Sequence, residues 1–174
     1  MKNFLALLEK KVYQRDIYVD ALYSYALTQQ IVFVVGSRRV GKSSLITALY
    51  QKYALKKVFY LNLEFDSNKE YHSLQALNDC YDAYVSEHGE ADWIIIDEIQ
   101  YVVDWQYFIR ARYARGVHKI IITGSHSSLI HNALSSYFTG RYITTMVYPL
   151  SYREFLQFKE SEDSHDCFEE YMQY

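Results

Sequence analysis

Short apolar runs alternate along this chain with segments whose apolar positions recur every three or four residues, the order of strands and helices that builds a parallel sheet. Tyr18, Ala21, Leu22 and Tyr25 share one face of a helix over 16–28, and residues 31–35 form a first buried strand. A helix over 42–53 and a second strand over 58–63 follow. Ser67 with Glu70 three residues on spells a capping box, opening a helix with Leu74, Leu77, Tyr81 and Tyr84 on one face. Residues 93–96 read as a third strand, Trp105, Phe108 and Ile109 mark a helix, and 120–122 is a fourth strand. Leu129, Ile130, Ala133, Leu134 and Tyr137 mark another helix, and 142–148 is a fifth strand stopped by Pro149. Ser151 and Glu154 form a second capping box, ahead of Phe155, Leu156 and Phe158. Four of the five strands are continuous apolar runs, as strands covered by helices on both faces are.

The length of 174 residues suits one domain able to bury a real core without disulfides or a structural metal. A hydrophobic content of 50% excludes a disordered chain. The net charge of −3 counts against a basic, whole-surface nucleic-acid binder, although Arg110, Arg112, Arg115, His118 and Lys119 cluster locally and read as a solvated helix face. Cys80 and Cys167 lie far apart with no CxxC spacing, so a reducing, cytoplasmic setting is expected. The apolar stretch 4–8 is broken at once by Glu9, Lys10 and Lys11, too short for a leader core, and no run is long enough to span a membrane.

Two motifs change the picture. Gly36-Ser37-Arg38-Arg39-Val40-Gly41-Lys42-Ser43 fits GxxxxGK[ST] between the first strand and the next helix, with Ser44 following. There backbone N–H groups and the positive end of the helix wrap phosphates, Lys42 reaches the β and γ phosphates, and Ser43 can ligate Mg²⁺. The strand Trp93-Ile94-Ile95-Ile96 then ends in Asp97 and Glu98. A carboxylate at that strand end can hold Mg²⁺, the part assigned to Asp97. Strand alternation points Glu98 elsewhere, where it can polarise a water attacking the γ-phosphate. Asn68-Lys69-Glu70-Tyr71 lacks the Asp of the guanine-reading NKxD motif, and no Gly follows Asp97 at DxxG spacing, so ATP is favoured over GTP. The six histidines show no metal-binding spacing.

The strings GSRRVGKSS, WIIIDEIQYV, IIITGSHSSLI and TGRYITTMVYPLSYREFL resemble prokaryotic AAA+/STAND-related P-loop ATPases of the AAA_14 kind, over about residues 12–174. That resemblance implies a three-layer α/β/α core with strand order 5-1-4-3-2, and ATP hydrolysis coupled to conformational change. It implies a γ-phosphate sensor at Ser125, for which Thr123 and His126 compete, and an arginine finger at Arg141, serving a neighbouring copy in a homo-oligomer. Such ATPases usually continue into a helical lid and a C-terminal DUF4143 domain. Residues 1–160 are therefore expected to form the core with its N-terminal helix, and 161–174 the truncated start of the lid. Two functions stand open: an ATP hydrolase with Glu98, Lys42, Ser125 and Arg141 as its catalytic set, and a non-hydrolysing ATP-dependent switch presenting a surface to a protein partner or to DNA.

Overall fold

The computed structural model describes residues 12–117, 119–125 and 136–173. In chain order the elements are α1 (Asp16–Leu27), β1 (Ile31–Val35), α2 (Lys42–Tyr53), β2 (Val58–Asn62), α3 (Leu74–His88), β3 (Trp93–Asp97), α4 (Trp105–Ala114), β4 (Lys119–Gly124), β5 (Tyr142–Met146), α5 (Tyr152–Lys159) and α6 (His165–Tyr171). Short 3-10 turns at Asp66–Tyr71 and Ile99–Tyr101 precede α3 and α4. All strand pairs are parallel, and the sheet runs β2-β3-β4-β1-β5, the expected order read from its other edge.

Alternation along the strands divides the core in two. Ile31, Phe33, Val35, Ile94, Ile96, Ile120 and Ile122 face α3 and α4, where Leu77, Tyr81, Phe108 and Ile109 close over them. Val32, Val34, Ile95 and Ile121 face the other way, under Val19, Leu22 and Ala26 of α1 and Leu45, Ile46 and Leu49 of α2. The inner strands β1, β3 and β4 thus form a middle layer buried on both sides, while the edge strand β5 is partly exposed. No described helix is long and apolar enough to cross a membrane.

Local departures from the sequence expectations have physical causes. The capping box at Ser67 and Glu70 does not form. Ser67 Oγ donates to the neighbouring Asn68 side chain (3.3 Å), Asn68 Nδ2 donates to the Asn62 carbonyl (2.7 Å), and these bonds hold 66–71 as a 3-10 turn against the end of β2. The helix starts later, capped by Ser73, whose Oγ accepts from Ala76 N at 3.1 Å. The basic cluster is not one solvated face either. Arg112 is buried over the rings of Tyr81 and Phe108 and donates to Asn78 and Asp82, while Arg110 and Arg115 stay exposed. His118 and most of the helix expected over 129–137 lie outside the described residues.

The second capping box forms as expected, and a residue from the far end of the chain exploits it. Ser151 and Glu154 cap α5 reciprocally. Glu154 also accepts from Arg15 Nε (2.7 Å) and Nη2 (3.2 Å), and Arg15 Nη1 donates to the Tyr148 carbonyl at 2.9 Å. Arg15 is 7% exposed, so it has little recourse to water. Burial works against the Glu154 charge, but the Arg15 and Ser151 donors more than offset it, and the carboxyl titrates below its ordinary value. That contribution is complete above the ordinary value and is lost as pH falls through the lowered one.

Two outcomes follow for thermal unfolding. Arg15→Ala is expected to cost about 2–3 kcal/mol, because it leaves a partly buried carboxylate without its cation. The Tm gap between the parent and Glu154→Gln is expected to be constant from pH 6 to 8 and to close as pH falls below the ordinary carboxyl value of 4.5, and a gap that widens in acid refutes the assignment.

Candidate functional site

In a parallel sheet every strand ends at the same edge, and three of these ends converge. The loop after β1 runs from Gly36 to Gly41 into α2, and its first residue has no room for a side chain. A Cβ on Gly36 would lie 2.5 Å from the Val147 carbonyl oxygen, at the exit of β5. Arg39 (φ 66°) and Gly41 (φ 95°) both take left-handed backbone to turn the chain into the helix. Such a loop, opening onto the first turn of a helix, presents unpaired N–H groups to an anion. Ser37, Arg38, Arg39 and Ser44 are exposed on it, and Val40 is half-buried. Arg38 pairs with Glu64 at 2.7 Å, an exposed ion pair.

Lys42 lies inside the site. Its side chain is 3% exposed, and Nζ contacts the carbonyls of Gly36 and Ser37 at 3.2 Å each and Glu98 Oε1 at 3.1 Å. Asp97, the last residue of β3, is wholly buried. Its Oδ1 accepts from Thr123 Oγ1, and its Oδ2 from Asn62 Nδ2 (2.9 Å) and Tyr60 OH (3.4 Å); Ser43 also hydrogen-bonds to the carboxyl. Burial raises the Asp97 pKa, opposed by the Ser43 and Thr123 hydroxyls and the charge of Lys42. A cation delivered to that carboxyl would reverse the balance.

Strand alternation fails at Glu98. The strand stops at Asp97, and Glu98 adopts φ 59°, a left-handed conformation that a non-glycine residue holds at a cost of about 1–3 kcal/mol. Its N–H donates to Thr123 Oγ1 at 3.0 Å, and the turn sends its carboxylate to Lys42. Glu98 Oε2 accepts from Ser125 Oγ at 2.9 Å and from Gln100 Nε2. Burial raises its pKa, but hydrogen bonds from Gln100, Lys42 and Ser125 outweigh that and hold the carboxyl below its usual range.

Of the expected residues, the structure therefore brings together Lys42, Ser43, Asp97, Glu98 and Ser125. Thr123 lies beneath them, fully buried, tying Asp97 to the backbone of Glu98, so it faces no ligand space. His126 lies outside the described residues. Arg141 is not brought in. It is exposed at the start of β5, its carbonyl accepting from Ile31 N, whereas the phosphate loop leaves from the opposite end of β1. Five residues of parallel strand separate the two by roughly 15 Å.

Asn62, Tyr60 and Gln100 were not singled out from the sequence. Asn62 had a signal, since parallel register sets the last residue of β2 beside Asp97. Gln100 had only its nearness in sequence. Two hollows adjoin these parts. One of about 590 Å³, lined by Arg15, Ile17, Tyr18, Tyr148, Pro149 and Arg153, lies along the segment that leaves Val147 beside the phosphate loop. A larger one of about 730 Å³ follows the outer edge of β2 and reaches the site only through Tyr60 and Asn62.

The chain is similar to known proteins in sequence and in fold. An uncharacterized protein of Haemophilus influenzae is 31% identical over 158 residues, covering 87% of this chain and 39% of its own length. An uncharacterized protein of Methanocaldococcus jannaschii is also 31% identical, over 86% of this chain and 32% of its own. The chain thus spans only about a third of the curated relatives it matches. Among solved structures, AMPPCP-bound DnaA from Aquifex aeolicus superposes with a TM-score of 0.59 at 16% identity, over 90% of this chain and 55% of that one. A Walker-type ATPase of Pyrococcus abyssi gives 0.57 at 17% identity, over 96% and 66%. At those identities the likeness establishes the fold. The sequence model described as an AAA domain matches residues 28–156, well over half the chain. The matched span contains both the phosphate loop and the acidic strand end that meet at this sheet edge: the chain belongs to the AAA domain family, on the P-loop fold.

Proposed function

We propose that the chain binds ATP with Mg²⁺ at the phosphate loop and hydrolyses it to ADP and phosphate, nucleotide state altering the arrangement of the site. The observation that carries this reading is the meeting of Lys42, Glu98 and Ser125, from three different strand ends, within hydrogen-bond distance of one another. A triphosphate entering the loop would compete with Glu98 for Lys42. Once Lys42 turns to the β and γ phosphates, Glu98 Oε1 is released to accept a proton. The water oxygen then bonds to the γ-phosphorus, the bond from that phosphorus to the β–γ bridging oxygen breaks with its electron pair going to ADP, and the water's proton goes to Glu98.

The Ser43 hydroxyl and the Asp97 carboxyl, already in contact, are the hard oxygen donors that suit Mg²⁺. When bound, Mg²⁺ supplies charge neutralisation at the phosphate oxygens. The hollow beside Tyr148 and Pro149 would take the base, with the exposed Ile17 and the ring of Tyr148 as its apolar walls. Arg141 would act on the γ-phosphate of a second copy, since its own site is out of reach. Residues 161–174 would open a lid segment beyond a core of residues 1–160. The reading as a non-hydrolysing switch has one observation in its favour: Lys42 occupies the very oxygen that would serve as base. DNA binding gains nothing from the basic cluster, because Arg112 is turned into the core.

Calorimetry is expected to give tighter binding of ATP with Mg²⁺ than of GTP, and Lys42→Ala should remove most of it. Equal affinities would sink the base assignment. Glu98→Gln should still bind ATP while hydrolysis falls by about 100-fold or more, because an amide cannot take the water's proton. Asp97→Asn should blunt the Mg²⁺ dependence of binding. A Glu98→Gln chain that turns over like the parent refutes the hydrolase, and a parent that binds without turnover supports the switch.

For Arg141, specific activity should rise with protein concentration, and Arg141→Ala should bind ATP normally but work slowly; fingers in GTPases are worth about 10³–10⁵ in rate. Mixing Arg141→Ala with Lys42→Ala should restore part of the activity. Concentration-independent turnover with no restoration refutes action between copies.

A further inference from the structure

A carboxylate base works best with one oxygen held toward the water, and the hydrogen bonds around Glu98 are asymmetric. Among the described residues Oε1 meets Lys42, whereas Oε2 takes both Gln100 Nε2 and Ser125 Oγ. Gln100 Nε2 is also 3.1 Å from Ser125 Oγ, so amide, hydroxyl and carboxylate close a triangle. The donor directions are consistent throughout. Ser125 gives its single proton to Glu98 and accepts from Gln100, and the amide gives one proton to each. Turning the amide over would set its oxygen against Glu98 Oε2, so the carboxylate fixes its orientation.

Local backbone puts Gln100 there. Glu98 caps the 3-10 turn Ile99–Tyr101 in left-handed conformation, and Tyr101 N donates back to the Glu98 carbonyl at 3.3 Å. Ile99 is buried in the core and Tyr101 stacks on His72 at 5.1 Å, anchoring the residues on either side of Gln100. The other end of the amide is the unusual part. Gln100 Oε1 is buried and has no hydrogen-bond partner among the described residues. A buried acceptor left without a donor costs free energy unless a water or ligand supplies one. Because its own nitrogen is bonded to Glu98, this oxygen lies within the span of one water molecule of that carboxylate.

We propose that Gln100 is a catalytic residue of the hydrolytic site: its amide nitrogen, with Ser125, pins Glu98 Oε2 and leaves Oε1 as the base, and its amide oxygen accepts the second hydrogen of the water that Glu98 activates. The water then has one hydrogen directed to each residue and a lone pair left for the γ-phosphorus. The chemistry is unchanged from the hydrolysis above, on which this inference rests: one water proton passes to Glu98, and the other stays with the oxygen that becomes part of phosphate. Gln100 gains and loses no proton.

The test uses Gln100→Met, close in size but without hydrogen-bonding groups, and Gln100→Asn, one methylene too short to span both partners; the partial exposure of the site gives the Asn variant a folded protein should Met perturb it. Both are expected to bind a non-hydrolysable ATP analogue within about twofold of the parent, while single-turnover hydrolysis falls about 100-fold. Adding Gln100→Met to Glu98→Gln should cause no further loss of rate, because the two residues serve one step. In nucleotide-free protein, the Tm changes of the two substitutions should fall short of additivity, reporting the Gln100–Glu98 contact without any turnover. Full hydrolysis by both Gln100 variants, where Glu98→Gln is inactive, overturns this inference and leaves the hydrolase standing. Rate losses that multiply in the double variant, or Tm changes that simply add, also overturn it. A Glu98→Gln chain with parental turnover overturns both readings together.

Discussion

A carboxylate removed from water must be surrounded by donors, and the wholly buried Asp97 imposes that requirement on the centre of this molecule. The donors come from β2 (Asn62 and Tyr60), from β4 (Thr123) and from the first turn of α2 (Ser43). Meeting the demand of one side chain therefore aligns two neighbouring strands and the helix that follows the phosphate loop. Thr123 extends the effect by one residue, since the hydroxyl that donates to Asp97 also receives the N–H of Glu98. The left-handed turn at Glu98, costly in isolation, is held in place by that bond and by the ion pair to Lys42.

Most of the architecture was legible because it is written in periodicity. Residues 31–35 and 42–53 form their elements at the boundaries read from the chain, and the strand order agrees with the family likeness. The phosphate-loop motif was legible for a related reason: its glycines and lysine fall within seven residues, so local spacing carries the information. The departures occur where a contact between distant residues overrides a local preference. Ser67 has the spacing of a cap, yet Asn68 finds the end of β2 six residues back, and the turn tightens. Arg112 looks like a surface cation on a basic stretch, but the rings of Tyr81 and Phe108 and the side chains of α3 offer it a better place.

The site divides along the same line. Lys42, Ser43 and Asp97 occupy the expected positions, whereas the orientation of Glu98 depends on a backbone angle that alternation cannot anticipate. Gln100 is hidden more deeply. Nothing in its residue type distinguishes it from any glutamine on a turn, and its place emerges only once the Glu98 turn is known. Arg141 is the converse case. Its sequence position drew attention, but strand polarity carries it to the far edge of the sheet from the loop, so its own site is complete or incomplete without regard to it.

The close approach of Gly36 to the Val147 carbonyl has a mechanical meaning. Two backbones touch there with no side chain between them to absorb movement by changing rotamer. Val147 leads directly into Tyr148 and Pro149, whose carbonyls receive Arg15, and Arg15 is clamped to Glu154 at the head of α5. Close-packed interiors transmit strain more readily than they dissipate it. The first residue of the phosphate loop is thus stiffly coupled to α5, so a tilt of that helix would be passed to the loop with little slack, and a change in the loop passed back along the same route.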